Sequence, residues 1–257
     1  MNNGRAGTIF TEIAETFACN LRRVNWRQRV AIPSVEGSPP GVGAGSGRLT
    51  DVSLTLFRTN FWNPCHPRKI DRMIVYLHGF NSSPDSSKAC QLGEYMASLG
   101  QLGEYYCPAL SSSPREAMAQ VETTLTDRAA ESVTLVGSSL GGFYATYLAE
   151  KYGCKAVLVN PAVHVHTLMR KALGAQTNWY TGEQWVLTED HLTELAVLNV
   201  AQISRPERYL VLLQTGDEVL DYRDAVSYYA GAHQHIEEGG DHGFTEFERH
   251  LSTILDF

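Results

Sequence analysis

The chain has 257 residues, 43% of them hydrophobic and 19% charged, the proportions of a soluble globular protein long enough for one sizeable α/β core. Its net charge of −7 is unevenly spread: residues 1–72 carry 10 Arg and Lys against 5 Asp and Glu, and residues 73–257 carry 11 against 23. So acidic a main segment would repel a phosphate backbone, which argues against a nucleic-acid partner. No apolar run approaches the ~18 residues needed to span a bilayer, and Glu12 and Glu15 interrupt the stretch that a secretory signal keeps apolar. Cys19, Cys65, Cys90, Cys107 and Cys154 are odd in number, scattered and without a C-x-x-C pair. They suit reduced thiols in a cytoplasmic protein better than a disulfide or zinc framework.

Residues 1–72 read as an N-terminal extension, flexible or poorly ordered. Ile9, Phe10, Ile13, Phe17 and Leu21 fall at helical spacing, and the basic group Arg22, Arg23, Arg27 and Arg29 follows. The Gly-rich stretch 39–47 is a flexible linker by composition. Asp51 to Phe57 alternates as one edge strand would, and 63–67 is a turn-rich connector. No chemistry is legible here. Met73 is an alternative start, which would make the upstream stretch an over-extended reading of the gene.

From Met73 onward, strands and helices alternate. Met73 to Leu77 is a continuous apolar run, the pattern of a buried parallel strand, and Asp85 or Ser86 opens a helix to about Ser98. Glu104 to Cys107 is a short strand. Ser113-Pro114 starts a helix predicted to reach about Ala130, with Ser113 as its cap and Pro114 at its first position. Val133 to Val136 is a strand, 142–151 a helix, and 155–160 a strand closed by Pro161. Residues 163–205 break the rhythm, with amphipathic pieces at about 164–173 and 188–198 around an aromatic loop holding Trp179, Tyr180 and Trp185. Strands at 208–214 and 234–237 and helices at 222–231 and 244–255 complete the chain. Such alternation predicts a doubly wound, mostly parallel sheet, with 163–205 as a small helical cap.

Between the strand 133–136 and its helix, Gly137-Ser138-Ser139-Leu140-Gly141 fits G-x-S-x-G. The motif alone arises often by chance, but a strand before it and a helix after it supply the sharp turn that exposes a serine hydroxyl, here that of Ser139. A serine is a poor nucleophile until a base takes its proton, and that base is usually a histidine oriented by a carboxylate. Asp217 follows the strand 208–214 directly and is the candidate acid; its rivals Asp221 and Asp224 fall where the next helix begins. His242 lies after the last strand, between Asp241 and Gly243, and is the candidate base. Backbone N–H groups of Leu140 and Phe80 are the expected oxyanion donors, with Gly79 letting the chain approach. His78 is expected to brace that loop. His164, His166, His191, His233 and His235 read as surface or packing residues rather than metal ligands, and neither metal nor cofactor is implied.

Five segments together carry a resemblance: Leu77-His-Gly-Phe-Asn-Ser-Ser-Pro84, Val136-Gly-Ser-Ser-Leu-Gly-Gly-Phe-Tyr-Ala-Thr146, Val159-Asn-Pro-Ala162, 214–222 and Glu238-Gly-Gly-Asp-His-Gly-Phe244. In order, and over about 73–257, the chain resembles the YqiA-like esterases, a branch of the α/β-hydrolase superfamily; nothing in residues 1–72 takes part. The resemblance implies a small cytoplasmic carboxylesterase or acyl thioesterase with the triad Ser139, Asp217 and His242. A small-molecule acyl ester or thioester would then be its partner, lined by Gly79, Asn81, Trp179 and Tyr180. The alternative from a different class is a catalytically inactive hydrolase fold used as a binding module.

Overall fold

The computed structural model describes residues 72–126 and 128–257. The helix, linker and edge strand expected within 1–71 lie outside the described residues. Six strands form one sheet: β1 (Met73–Leu77), β2 (Tyr105–Tyr106), β3 (Val133–Ser138), β4 (Lys155–Val159), β7 (Tyr209–Gln214) and β8 (His233–Glu237). Their spatial order is β2-β1-β3-β4-β7-β8, and every neighbouring pair is parallel. The chain leaves β1 toward β2 on one side and returns as β3 on the other. In such sheets the crevice beyond the carboxyl ends of those strands is where ligands bind.

Burial on both faces explains the apolar strands. In β1, Met73, Val75 and Leu77 join one core with α2 (Pro114–Leu125) and α3 (Leu140–Tyr152). Ile74 and Tyr76 join a second core with α1 (Ser87–Ser98) and the C-terminal residues Ile254 and Leu255. Each aliphatic side chain fully buried in these layers contributes about 1.5–3 kcal/mol. The doubly wound parallel sheet is therefore the fold that the alternation predicted.

Ser113 caps α2 as expected: its Oγ accepts the N–H of Glu116 at 3.3 Å, and Pro114 holds the first helical position. The helix stops at Leu125, not near Ala130, and a separate 3-10 turn spans Ala130–Ser132. A larger departure is at the end of the chain. Phe244 and Glu246 have φ of 62° and 61°, which no helix tolerates. The predicted helix 244–255 is therefore a 3-10 turn, Phe247–His250, followed by the short α7 (Leu251–Asp256).

Residues 163–205 hold α4 (Val165–Arg170) and α5 (Glu189–Val197), but the aromatic loop between them is a β-hairpin. Its strands β5 (Gly174–Thr177) and β6 (Gln184–Leu187) pair antiparallel. Asn178 organises the turn, its Oδ1 accepting the N–H groups of Tyr180 and Thr181 at 2.9 and 3.0 Å. The cap is thus helical only in part. Between β7 and β8 runs α6 (Tyr222–Tyr228). Among the described residues, no helix is long and apolar enough to cross a membrane.

Candidate active site

The turn after β3 is built from close packing. A Cβ on Gly137 would overlap the Gly141 carbonyl, one on Gly141 would overlap the Leu77 carbonyl, and one on Gly142 would come within 2.7 Å of the Pro161 ring. Strand and helix meet this tightly only because all three positions lack side chains. Gly141→Ala is expected to destabilise the fold by about 3 kcal/mol or more, the upper range for overpacking. A denaturant titration of the variant against the parent checks this.

The same turn forces Ser139 to φ 56°, ψ −120°, a costly conformation for a residue with a side chain. Its backbone is pinned on both sides: the N–H donates to Val159 at 3.1 Å, and the carbonyl accepts from Gly142 at 2.9 Å and Ala162 at 3.1 Å. The hydroxyl is left projecting past the end of the sheet, beside the first turn of α3. Ser138, by contrast, is the last residue of β3 and is buried.

His242 reaches this hydroxyl from the loop after β8, with Nε2 3.1 Å from Ser139 Oγ. Its Nδ1 lies 2.8 Å from Asp217 Oδ2, beyond the end of β7. Asp217 is held hard in place: Oδ1 accepts the N–H groups of Val219 at 2.9 Å and Leu220 at 2.8 Å. The carboxylate thus caps its own turn with one oxygen and holds the imidazole with the other. Its side chain is 2% exposed against 18% for His242, so the carboxylate is dry and the imidazole partly open to solvent. Asp221 caps α6 by accepting the Arg223 N–H at 3.0 Å and pairs with the Arg223 guanidinium, and Asp224 sits in the first turn of that helix. The carboxylate on the imidazole is that of Asp217.

Leu140 is the first residue of α3, so its N–H is one of the four that a helix leaves without an intrahelical partner. Phe80 follows β1 in a turn whose Gly79 abuts Ser139: a Cβ there would touch the Ser139 side chain at 3.4 Å. His78 links this turn to the chain beyond β2. Its Nε2 accepts the Leu110 N–H at 3.1 Å, which leaves Nδ1–H to donate to the Gly79 carbonyl at 3.1 Å. Burial depresses its pKa, in keeping with a neutral ring that accepts at one nitrogen.

Of the residues expected to line a substrate, Asn81 is buried and has φ 50°. Its amide donates to Gln176 at 3.0 Å and accepts from the Trp185 indole at 2.9 Å, so it ties the first loop to the cap hairpin. Trp179 and Tyr180 sit on the hairpin turn, 41% and 38% exposed. The aromatic ring that meets Phe80 is that of Trp185, edge to face with centroids 5.7 Å apart.

Four further residues hold the His242 loop, and the sequence does not show that they do so. Asn160, at φ 40°, donates to the carbonyls of Asp241 at 3.0 Å and His242 at 3.4 Å, and accepts the Gln214 N–H at 3.0 Å. The Gln214 amide accepts from the N–H groups of Asp241 and Thr245 and donates to the Thr245 carbonyl and to Glu237. Lys88, reaching over from α1, donates to the Gly243 carbonyl at 2.7 Å. Burial pulls its pKa down to about 8, against the opposing fields of Asp241 and Asp217. Glu218 completes the frame by accepting the His242 N–H at 3.0 Å.

Several solved structures share this fold. Mouse alpha/beta hydrolase domain-containing protein 10 superposes with a TM-score of 0.54 at 18% identity, over 71% of this chain and 88% of its own. Est1E from Butyrivibrio proteoclasticus, with ferulic acid bound, gives 0.54 at 13% identity over 72% and 87%. The esterase domain of a Rhodothermus marinus protein gives 0.50 at 14% identity over 74% and 85%. At such identities the likeness establishes the α/β-hydrolase fold. Family membership is carried by the sequence itself: residues 73–257 match UPF0227, an uncharacterised protein family, and the chain belongs to that family, the YqiA-like one.

Proposed function

We propose that the chain is a serine hydrolase that cleaves acyl esters or thioesters through an acyl-serine intermediate. The observation that carries this reading is the continuous bridge from Asp217 through His242 to Ser139, at 2.8 and 3.1 Å. Ser139 Oγ would attack the acyl carbonyl as His242 Nε2 accepts its proton. Asp217 would hold the Nδ1–H tautomer and stabilise the imidazolium that forms. The N–H groups of Leu140 and Phe80 would receive the negative charge on the carbonyl oxygen, where preorganised donors stabilise the transition state most. Collapse would expel the alcohol or thiol, protonated by His242. Water, deprotonated by the same ring, would then release the acid and restore Ser139. The exposed Trp179 and Tyr180, with the hairpin held by Asn81, offer the acyl-binding surface.

A strained serine aimed at an oriented imidazole supports catalysis over the alternative of an inactive binding module. The test is a panel of p-nitrophenyl esters and acyl-CoA thioesters of graded chain length. Saturable turnover that depends on acyl length supports the reading, and no turnover across the panel contradicts it.

Lys88 offers a second handle on the same reading. Its folded pKa of about 8 lies below the ~10.4 of an unfolded lysine, so the unfolded chain binds more protons between those values. Stability conferred through this group therefore rises with pH across that window, and below about pH 8 the buried charge is a standing cost. Lys88→Met is expected to flatten that rise in urea titrations at successive pH values. Without its hold on Gly243, kcat should also fall, by up to the ~10²-fold that a misplacement of about 1 Å costs.

A further inference from the structure

Away from the triad, β8 and the C-terminal segment bring together two imidazoles and a carboxylate. His235 and Glu237 are two residues apart on the edge strand β8, so the pleat sets both side chains on one face. His250 ends the 3-10 turn before α7 and folds back onto that face. Its Nε2 lies 3.1 Å from Glu237 Oε1, and His235 Nε2 lies 3.5 Å from the same oxygen. The three prospective donor atoms all fall within 4.8 Å of one another.

These separations are informative. Donors bound tetrahedrally to zinc at about 2.0–2.2 Å stand ~3.3 Å apart, a value that the two observed distances bracket. A simple ion pair would use one imidazole, whereas here two converge on one carboxylate oxygen. The remaining oxygen, Oε2, accepts the Gln214 amide at 2.9 Å, the kind of outer hydrogen bond that orients a ligating carboxylate. His250 is buried and fixed against Phe244, with ring centroids 5.3 Å apart. His235 is 55% exposed at its side chain, leaving the outer side open to water as a fourth ligand. Two imidazole nitrogens and a carboxylate oxygen suit zinc and its first-row neighbours rather than calcium or magnesium.

We propose that His235, Glu237 and His250 form a zinc-class metal site that fastens the C-terminal segment to the edge strand. Through Glu237 the site adjoins Gln214, whose amide also holds the backbone of Asp241 and Thr245 on either side of His242. Metal binding would therefore stiffen the loop that carries the base without entering its chemistry. The sequence gives little sign of this, because His250 lies 13 residues from Glu237 and meets it only through the turn at Phe247–His250.

The full chain, stripped with chelator, is titrated with zinc in competition with a chromogenic chelator, and with cobalt(II) as a spectroscopic probe. One equivalent should bind, the melting temperature should rise with added zinc, and cobalt should show a ligand-field spectrum of nitrogen and oxygen donors. His235→Ala, at an exposed position, should weaken zinc binding by at least ~10-fold, the lower end of what even an outer-shell change costs. His250→Gln should do the same, and His242→Ala should leave zinc binding intact. No stoichiometric binding, an affinity unchanged by His235→Ala, or a thiolate-to-cobalt absorption band would overturn the proposal.

Discussion

Ser139→Ala is expected to lower kcat by about 10⁶-fold, the scale on which a triad loses its nucleophile, while the melting temperature stays close to that of the parent. The expectation rests on position. Ser139 alone combines the strained turn and the 3.1 Å contact with His242 Nε2. Ser138→Ala should change turnover little, because that residue is buried at the end of β3. Initial-rate kinetics on the best substrate from the ester panel, with circular dichroism to verify folding, separate the two. Activity lost with Ser138 and kept without Ser139 would contradict the register of the turn.

Asp217→Asn is expected to cost about 10⁴-fold in kcat. An asparagine carbonyl can still accept from Val219 and Leu220, so the turn survives. Its amide nitrogen would then face His242 Nδ1 as a donor, where the carboxylate now accepts. The imidazole must turn its lone pair toward the amide and place its proton on Nε2, the wrong side for taking one from Ser139. Asp221→Asn serves as the comparison. That residue caps α6 with a single oxygen, a task asparagine performs equally well, so kcat should stay within a few-fold of the parent. A steeper loss at position 221 than at 217 would move the acid to Asp221.

The parts legible in the sequence were those fixed by local pattern. The four inner strands β1, β3, β4 and β7 are apolar because both faces are covered, and each candidate triad residue follows a strand at one end of a parallel sheet. Ser139, Asp217 and His242 consequently converge although they are up to 103 positions apart. The errors have equally physical origins. Residues 244–255 carry helical periodicity, but Phe244 and Glu246 adopt positive φ where the His242 loop turns back, and backbone strain of that kind leaves no mark on hydrophobic spacing. The hairpin 174–187 was hidden because its strands are four residues each and partly exposed, too short for alternation to register. The part that Asn160, Gln214 and Lys88 play in holding the His242 loop was not legible for another reason. Each acts by hydrogen bonds to backbone groups that only the folded sheet brings near, and any of them alone reads as an ordinary polar residue.

The central claim is that Ser139 is an activated nucleophile, and covalent labelling tests it most directly. The full chain is incubated with a fluorophosphonate, its intact mass measured, and the modified peptide mapped. The account predicts one adduct per chain, on Ser139, with labelling abolished in Ser139→Ala and strongly slowed in Asp217→Asn. An adduct on Ser138, labelling that persists in Ser139→Ala, or a chain that remains unlabelled would contradict it.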